Sequence, residues 1–85
     1  MAFTGELAVI TGGGSGMGQA WARKLASEGA TVALIDVNTA GMEETAFGHD
    51  SIHSFTRDIT DSDEVRSVFH DIEATLGPVE RVINA

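Results

Sequence analysis

The sequence predicts an α/β fold, in which helices cover a doubly wound parallel sheet. Two observations support this. Short apolar runs rich in β-branched residues alternate along the chain with segments whose apolar residues recur at helical spacing. Each connection between successive runs has room for one helix, which favours parallel strands joined by right-handed crossovers. We therefore expect a single, incomplete sheet with strand order 3-2-1-4 and a switch point between strands one and four.

The strands follow from apolar runs bounded by turn residues. The second run, Thr31–Ile35, is continuously apolar, as is typical of a parallel strand buried on both faces. The third run alternates with polar residues, which places it nearer a sheet edge. The expected strands are 7–10, 31–35, 51–55 and 81–84, and the expected helices are 16–28, 39–47 and 62–76.

The helix boundaries follow from capping residues. Asn38 or Thr39 can cap the short second helix. Asp61 and Glu64 fit a capping box at the start of the third helix, and Gly77-Pro78 ends it. On the first helix we expect large apolar side chains to pack in the core, notably those of Met17 and Trp21.

Composition excludes several classes of function. Eighty-five residues make at most one small domain. The net charge of −8 and the scattered basic residues argue against nucleic acid or an anionic membrane as partner. The chain has no cysteine, which rules out disulfides and thiolate chemistry, and no metal motif surrounds His49, His53 or His70. No signal peptide or membrane span is recognisable, so the default expectation is a cytoplasmic protein.

The most informative segment is the glycine-rich run Thr11–Gly18, which connects the first strand to the first helix. A helix N-terminus offers unpaired N–H groups and the positive end of the helix dipole, and glycines let an anion approach closely. The segment therefore predicts a nucleotide-binding turn. The alternative is that its glycines serve only a tight turn and close packing between helix and strand.

The glycine spacing differs from the dinucleotide fingerprint G-x-G-x-x-G and fits T-G-x-x-x-G-x-G, at Thr11, Gly12, Gly16 and Gly18. With this pattern the chain resembles the classical short-chain dehydrogenases/reductases, whose fold is of the Rossmann type. The resemblance implies NAD as cofactor and a small-molecule alcohol or carbonyl substrate. It also implies a homo-oligomer for the intact protein.

Three later segments extend the resemblance. Asp36 ends the second strand, where an acidic residue can accept hydrogen bonds from the adenosine ribose. Asp58-Ile59 follows the third strand, where the family holds adenine, and Ile83-Asn84-Ala85 resembles the start of its N-N-A-G motif with the first asparagine replaced. The cofactor-binding residues implied are Gly12, Ser15, Gly16, Met17, Gly18, Asp36, Asp58, Ile59, Asn84 and Ala85.

Three of these residues also have a structural interpretation. Asp36 could be a solvated strand end, and Asp58 could simply begin the turn into the third helix. We expect the side-chain amide of Asn84 to bond the backbone of a neighbouring segment, so a direct cofactor contact stays open.

The catalytic groups of the family are not recognisable in this chain. The resemblance implies hydride transfer with a tyrosine as acid/base, a nearby lysine and a serine. This chain has no tyrosine, and its single lysine, Lys24, lies on the first helix. We therefore interpret residues 1–85 as the N-terminal cofactor-binding part of an oxidoreductase, with the catalytic part beyond Ala85. The alternative is a non-catalytic, stand-alone nucleotide-binding or regulatory module.

An isolated chain of this kind is expected to be poorly stable and to associate. The fourth strand would be an open sheet edge. We also expect one face of the sheet to lack its covering helices, which would expose Ala8, Ile10, Val32 and Leu34 as an apolar patch.

Overall fold

The computed structural model describes residues 5–85. Seven elements alternate along the chain, as predicted, and most of their boundaries agree with the expected ones to within one residue. They are β1 (Leu7–Thr11), α1 (Gly16–Ser27), β2 (Thr31–Asp36), α2 (Thr39–Ala46), β3 (Ile52–Thr56), α3 (Ser62–Leu76) and β4 (Arg81–Asn84). All pairings are parallel and the strand order is β3-β2-β1-β4, which confirms the predicted fold class and places β3 at an edge.

The two central strands, β1 and β2, are buried on both faces because helices lie on each side of the sheet. Ala8 and Ile10 of β1 pack in a core with residues of α1 and α2, whereas Leu7 and Val9 pack in a second core with residues of α3. The predicted apolar patch at Ala8, Ile10, Val32 and Leu34 is wrong. These side chains are at most 1% exposed, since α1 and α2 cover that face of the sheet.

The orientation of α1 also differs from expectation. Its buried residues are Gly18, Ala22 and Leu25, so the stripe that faces the sheet consists largely of small residues. Met17 is 65% exposed and Trp21 40% exposed. The expectation that these two residues pack in the core is therefore wrong, because small side chains on the neighbouring stripe let the helix approach the sheet closely.

The third helix begins at its predicted cap, but the capping box is only half formed. The Asp61 carboxylate accepts hydrogen bonds from the N–H groups of Asp63 (2.9 Å) and Glu64 (3.3 Å). The Glu64 carboxylate does not return to Asp61. It accepts instead from the N–H of Asp58 at 3.0 Å, and so connects α3 to the segment that follows β3.

Candidate cofactor-binding site

The glycine-rich turn follows directly from β1. Gly12 has a φ of 77°, a left-handed conformation that favours glycine, and its N–H donates to the Ile35 carbonyl at 2.8 Å. Ser15 caps α1: its hydroxyl oxygen accepts from the N–H of Gly18 at 3.4 Å and its hydroxyl donates to the Gly12 carbonyl at 2.8 Å. The turn is therefore bonded both to β2 and to the first turn of α1.

The glycines of the turn have different surroundings. A Cβ at Gly18 would overlap the backbone of Gly12, and a Cβ at Gly13 would lie 2.7 Å from Leu34. Close packing therefore explains why both positions are glycine. A Cβ at Gly16 would have nothing within 4 Å. Packing gives no reason for a glycine at position 16, whereas a ligand that approaches the helix N-terminus would.

The N-terminus of α1 carries free hydrogen-bond donors. Within the part of the chain that the structure describes, no group accepts a hydrogen bond from the N–H of Gly16 or of Met17. The first turn of α1 also contains no acidic residue. Two unpaired N–H groups at the positive end of the helix dipole can bind an anion such as a phosphate.

The carboxylate of Asp36 lies at the same edge of the sheet, beside this turn. Its Oδ2 accepts from the N–H of Gly14 at 2.9 Å, and its Oδ1 accepts from the N–H of Asn38 at 3.1 Å. Asp36 is thus held in place by two backbone groups, and its contact with a ribose stays a prediction. Each carboxylate oxygen still has a lone pair with which it can accept from a hydroxyl of a bound sugar.

Asp58 forms the turn that leads into α3, as its structural interpretation predicted. Its Oδ1 accepts from the hydroxyl (2.6 Å) and the N–H (2.9 Å) of Thr60, and these bonds hold the pKa of Asp58 below its ordinary value. The N–H of Arg57 donates to the Asp36 carbonyl at 3.1 Å, which fixes this segment beside the end of β2. Ile59 is 44% exposed, and a contact of Asp58-Ile59 with adenine stays a prediction.

The side chain of Asn84 bonds another side chain, and not the backbone of a neighbouring segment as expected. The Thr11 hydroxyl donates to the side-chain oxygen of Asn84 at 2.7 Å, and the N–H of Ala85 donates to the Thr11 carbonyl at 3.0 Å. The two strands run side by side, so their adjacent ends bring these side chains together. Contact of Asn84 or Ala85 with a cofactor is not tested by this arrangement.

Sequence analysis missed one buried residue beside the turn. Thr45 of α2 is 0% exposed, and its hydroxyl lies 2.8 Å from the Gly41 carbonyl and 3.2 Å from the Gly13 carbonyl. The signal was available, because Thr45 lies three residues after the apolar Met42, at helical spacing. A threonine on the sheet-facing stripe of a helix needs a hydrogen-bond partner.

The sequence model of the family described as short chain dehydrogenase matches residues 6–85. The chain belongs to this family. Within residues 5–85, no helix has the length and apolar character required to cross a bilayer. Lys24 is exposed, and its ammonium group lies 3.4 Å from the carboxylate of Glu28 one helical turn away.

Relatives and solved structures agree with this assignment. The chain is 35% identical over 81 residues to the 2-dehydro-3-deoxy-L-rhamnonate dehydrogenase (NAD(+)) of Sphingomonas sp. (strain SKA58), covering 95% of this chain and 32% of that protein. It is 34% identical to the 2,3-dihydro-2,3-dihydroxybenzoate dehydrogenase of Bacillus subtilis (strain 168), covering 94% of this chain and 32% of that protein.

Among crystal structures, a 3-ketoacyl-(acyl-carrier-protein) reductase from Brucella melitensis complexed with NADH superposes with a TM-score of 0.87 at 31% identity, over 93% of this chain and 33% of that one. The chain thus spans about a third of the length of the relatives it matches.

Proposed function

We propose that this chain binds the adenosine and pyrophosphate of NAD within a short-chain dehydrogenase that transfers a hydride between nicotinamide and a small alcohol or carbonyl compound. One observation carries the proposal: the unpaired N–H groups of Gly16 and Met17 and the carboxylate of Asp36 lie at the same edge of the sheet. The edge therefore offers a site for an anion beside an acceptor for hydroxyl groups. A dinucleotide carries the matching groups, because its phosphates are anions and its ribose has hydroxyls.

The pyrophosphate would be held by the start of α1. Gly16 and Met17 would donate their N–H groups to phosphate oxygens, and the absence of a side chain at Gly16 leaves space for them. Ser15 and Gly18 would keep the first helical turn in place, as their hydrogen bond indicates. Gly12 would form the tight turn below the ligand.

The adenosine would lie beside β2 and β3. Asp36 would accept hydrogen bonds from both ribose hydroxyls, and a 2′-phosphate there would be repelled by its negative charge. Positions 15, 37 and 38, where an arginine could offset that repulsion, are Ser15, Val37 and Asn38. The proposal is supported by the relative whose name includes NAD(+) and by the reductase solved with NADH.

The remaining contacts would complete the site. We propose that Asp58 and Ile59 border the adenine, and that Asn84 and Ala85 border the cofactor at the switch point between β1 and β4. NAD supplies the hydride acceptor or donor when it is bound. The protein's acid/base group would belong to a segment outside residues 1–85, in a cytoplasmic homo-oligomer.

Calorimetric titration with fragments of the cofactor tests this proposal. NAD and ADP-ribose should bind with similar affinity, because this chain is expected to contact only the adenosine and pyrophosphate. Nicotinamide mononucleotide, which lacks the adenosine and the second phosphate, should bind much more weakly. Equal binding of all three compounds, or binding of none, would contradict the proposal. Binding of ADP-ribose by an intact protein that never reduces NAD would favour a regulatory nucleotide-binding module instead.

A further inference from the structure

The peptide unit between Gly13 and Gly14 is held at both ends by side chains from β2 and α2. Its N–H, on Gly14, donates to Oδ2 of Asp36 at 2.9 Å. Its C=O, on Gly13, lies 3.2 Å from the hydroxyl oxygen of Thr45, whose single proton is shared between this carbonyl and the Gly41 carbonyl at 2.8 Å. The N–H and C=O of a trans peptide lie in one plane and point in opposite directions. The two hydrogen bonds therefore fix the orientation of this peptide from opposite sides.

The surroundings of Thr45 leave little freedom for another arrangement. The side chain is fully buried in the structure. Helix α2 is fitted closely to the turn: a Cβ at Gly41 would lie 2.6 Å from the Gly14 carbonyl oxygen. That same oxygen also accepts a hydrogen bond from the side-chain amide of Asn38 at 3.4 Å. Two consecutive carbonyl groups of the turn, those of Gly13 and Gly14, thus receive hydrogen bonds from side chains of the α2 region.

We propose that Thr45 is a positioning residue for cofactor selection. By holding the Gly13–Gly14 peptide, it keeps the N–H of Gly14 directed at Asp36 and so orients that carboxylate towards the ribose hydroxyls. Loss of the hydroxyl leaves the Gly13 carbonyl without this donor and allows the peptide to rotate. Asp36 then retains one backbone donor, that of Asn38, and loses preorganisation. The inference rests on the proposed binding of NAD.

A purely structural role for Thr45 makes a different prediction. Threonine hydroxyls often bond the carbonyl four residues earlier in a helix, as Thr45 does with Gly41. If that bond alone matters, removal of the hydroxyl lowers the melting temperature and leaves the preference between NAD and NADP unchanged. Selectivity therefore distinguishes the two roles.

The experiment measures the dissociation constants of NAD and NADP by calorimetry for the protein and its variants. Thr45→Val, which keeps the side-chain shape, should reduce the ratio of the NADP constant to the NAD constant by about fivefold, the worth of one neutral hydrogen bond. Thr45→Ser, which keeps the hydroxyl, should have the same ratio as the unmodified protein. Ser27→Ala removes a comparable hydroxyl-to-helix bond, from Ser27 to the Lys24 carbonyl at 2.6 Å, and should leave the ratio unchanged.

A double variant tests whether Thr45 acts through Asp36. In the Asp36→Ala background, Thr45→Val should no longer alter the ratio. An unchanged ratio in Thr45→Val, or an equal effect in both backgrounds, would overturn the inference. If Thr45→Val fails to fold, Thr45→Cys, with a similar size and only a weak S–H donor, is judged by the same criterion. Failure of the unmodified protein to bind either dinucleotide would instead refute the proposed function.

Discussion

The hydroxyl of Thr11 donates a 2.7 Å hydrogen bond to the side-chain oxygen of Asn84, and it joins the ends of β1 and β4 at the point where the strand order reverses. Backbone groups join the same two strand ends, since the N–H of Ala85 donates to the Thr11 carbonyl. As a result Ala85 lies against the glycine-rich turn, and a Cβ at Gly12 would be only 2.7 Å from the Ala85 carbonyl oxygen. The base of the candidate site is therefore built by both strands.

Asp36 is predicted to select NAD over NADP. Asp36→Ala removes the negative charge that would repel a 2′-phosphate, and should narrow the affinity ratio between the two cofactors by about tenfold or more. Calorimetry on the protein measures both affinities. Asp50→Ala removes the same charge at an exposed position between α2 and β3 and should not change the ratio. If the unmodified protein already binds NADP as tightly as NAD, the role assigned to Asp36 is wrong.

Gly16 and Gly18 are predicted to respond differently to a side chain. Gly16→Val should abolish NAD binding with only a modest loss of stability, because its side chain would occupy open space where the pyrophosphate is expected. Gly18→Ala should destabilise the fold itself, since its Cβ would overlap the Gly12 backbone. Thermal unfolding and calorimetry separate the two effects. Unchanged NAD affinity in Gly16→Val would remove the turn from the binding site.

Residues 1–85 alone are predicted to have no dehydrogenase activity on any alcohol or ketone. The chain contains no tyrosine, and its single lysine is exposed and paired with Glu28. The tyrosine and lysine that the family uses for the acid/base step therefore have no counterpart placed for it within residues 5–85, even where NAD is bound. Absorbance of NADH measures turnover. Activity that survives removal of contaminating host enzymes would contradict this prediction.

Thr60 is predicted to control the titration of Asp58. Thr60→Val removes the hydroxyl that contributes most to lowering the pKa of Asp58, so that pKa should rise towards its ordinary value. Because the folded-state pKa is depressed, the hydrogen bond stabilises the fold above the unfolded pKa of about 3.9, and this stability is lost as the pH falls through the folded pKa.

The difference in stability between the protein and Thr60→Val should therefore be constant near neutral pH and shrink in strong acid. Carboxyl NMR titration measures the pKa directly. Thr75→Val, an exposed change on α3, should leave the titration of Asp58 unchanged. A pKa of Asp58 that is the same with and without the Thr60 hydroxyl would show that this bond does not form in solution.

Residues 1–85 are predicted to self-associate, through the edge strand β4 that the sequence indicated and through an exposed surface of α1 that it did not. Met17, Ala20, Trp21 and Lys24 of α1 line a depression of about 170 Å³, and Val82 of the edge strand β4 is 50% exposed. Contiguous exposed apolar surface favours association. Sedimentation equilibrium should therefore detect oligomers.

Trp21→Lys should weaken this association by placing a charge within the apolar surface of α1. Thr75→Lys is the matched control, because it adds a positive charge at an exposed polar position on α3, outside this apolar surface. A monodisperse monomer with cooperative melting would refute the prediction. Equal weakening by both variants would show that net charge, rather than this surface, controls association.

The sequence by itself determined the order of the elements, the parallel sheet and the position of the glycine-rich turn. These features depend on local signals: apolar runs such as Thr31–Ile35, the caps at Asn38 and Asp61, and crossovers with room for one helix. The family resemblance rested on the motif in Thr11–Gly18 and on three later segments, and the match over residues 6–85 confirmed it.

Only the tertiary structure decided how these elements meet. Helical spacing marks a stripe but does not say which of two neighbouring stripes faces the sheet, and small residues let Gly18 and Ala22 take the place expected for Met17 and Trp21. The contacts of Asp36 with Gly14, and of Thr45 with Gly13, join residues more than twenty positions apart. Such contacts depend on the packing of α2 against the turn. No local pattern in the chain specifies contacts between residues so far apart in sequence.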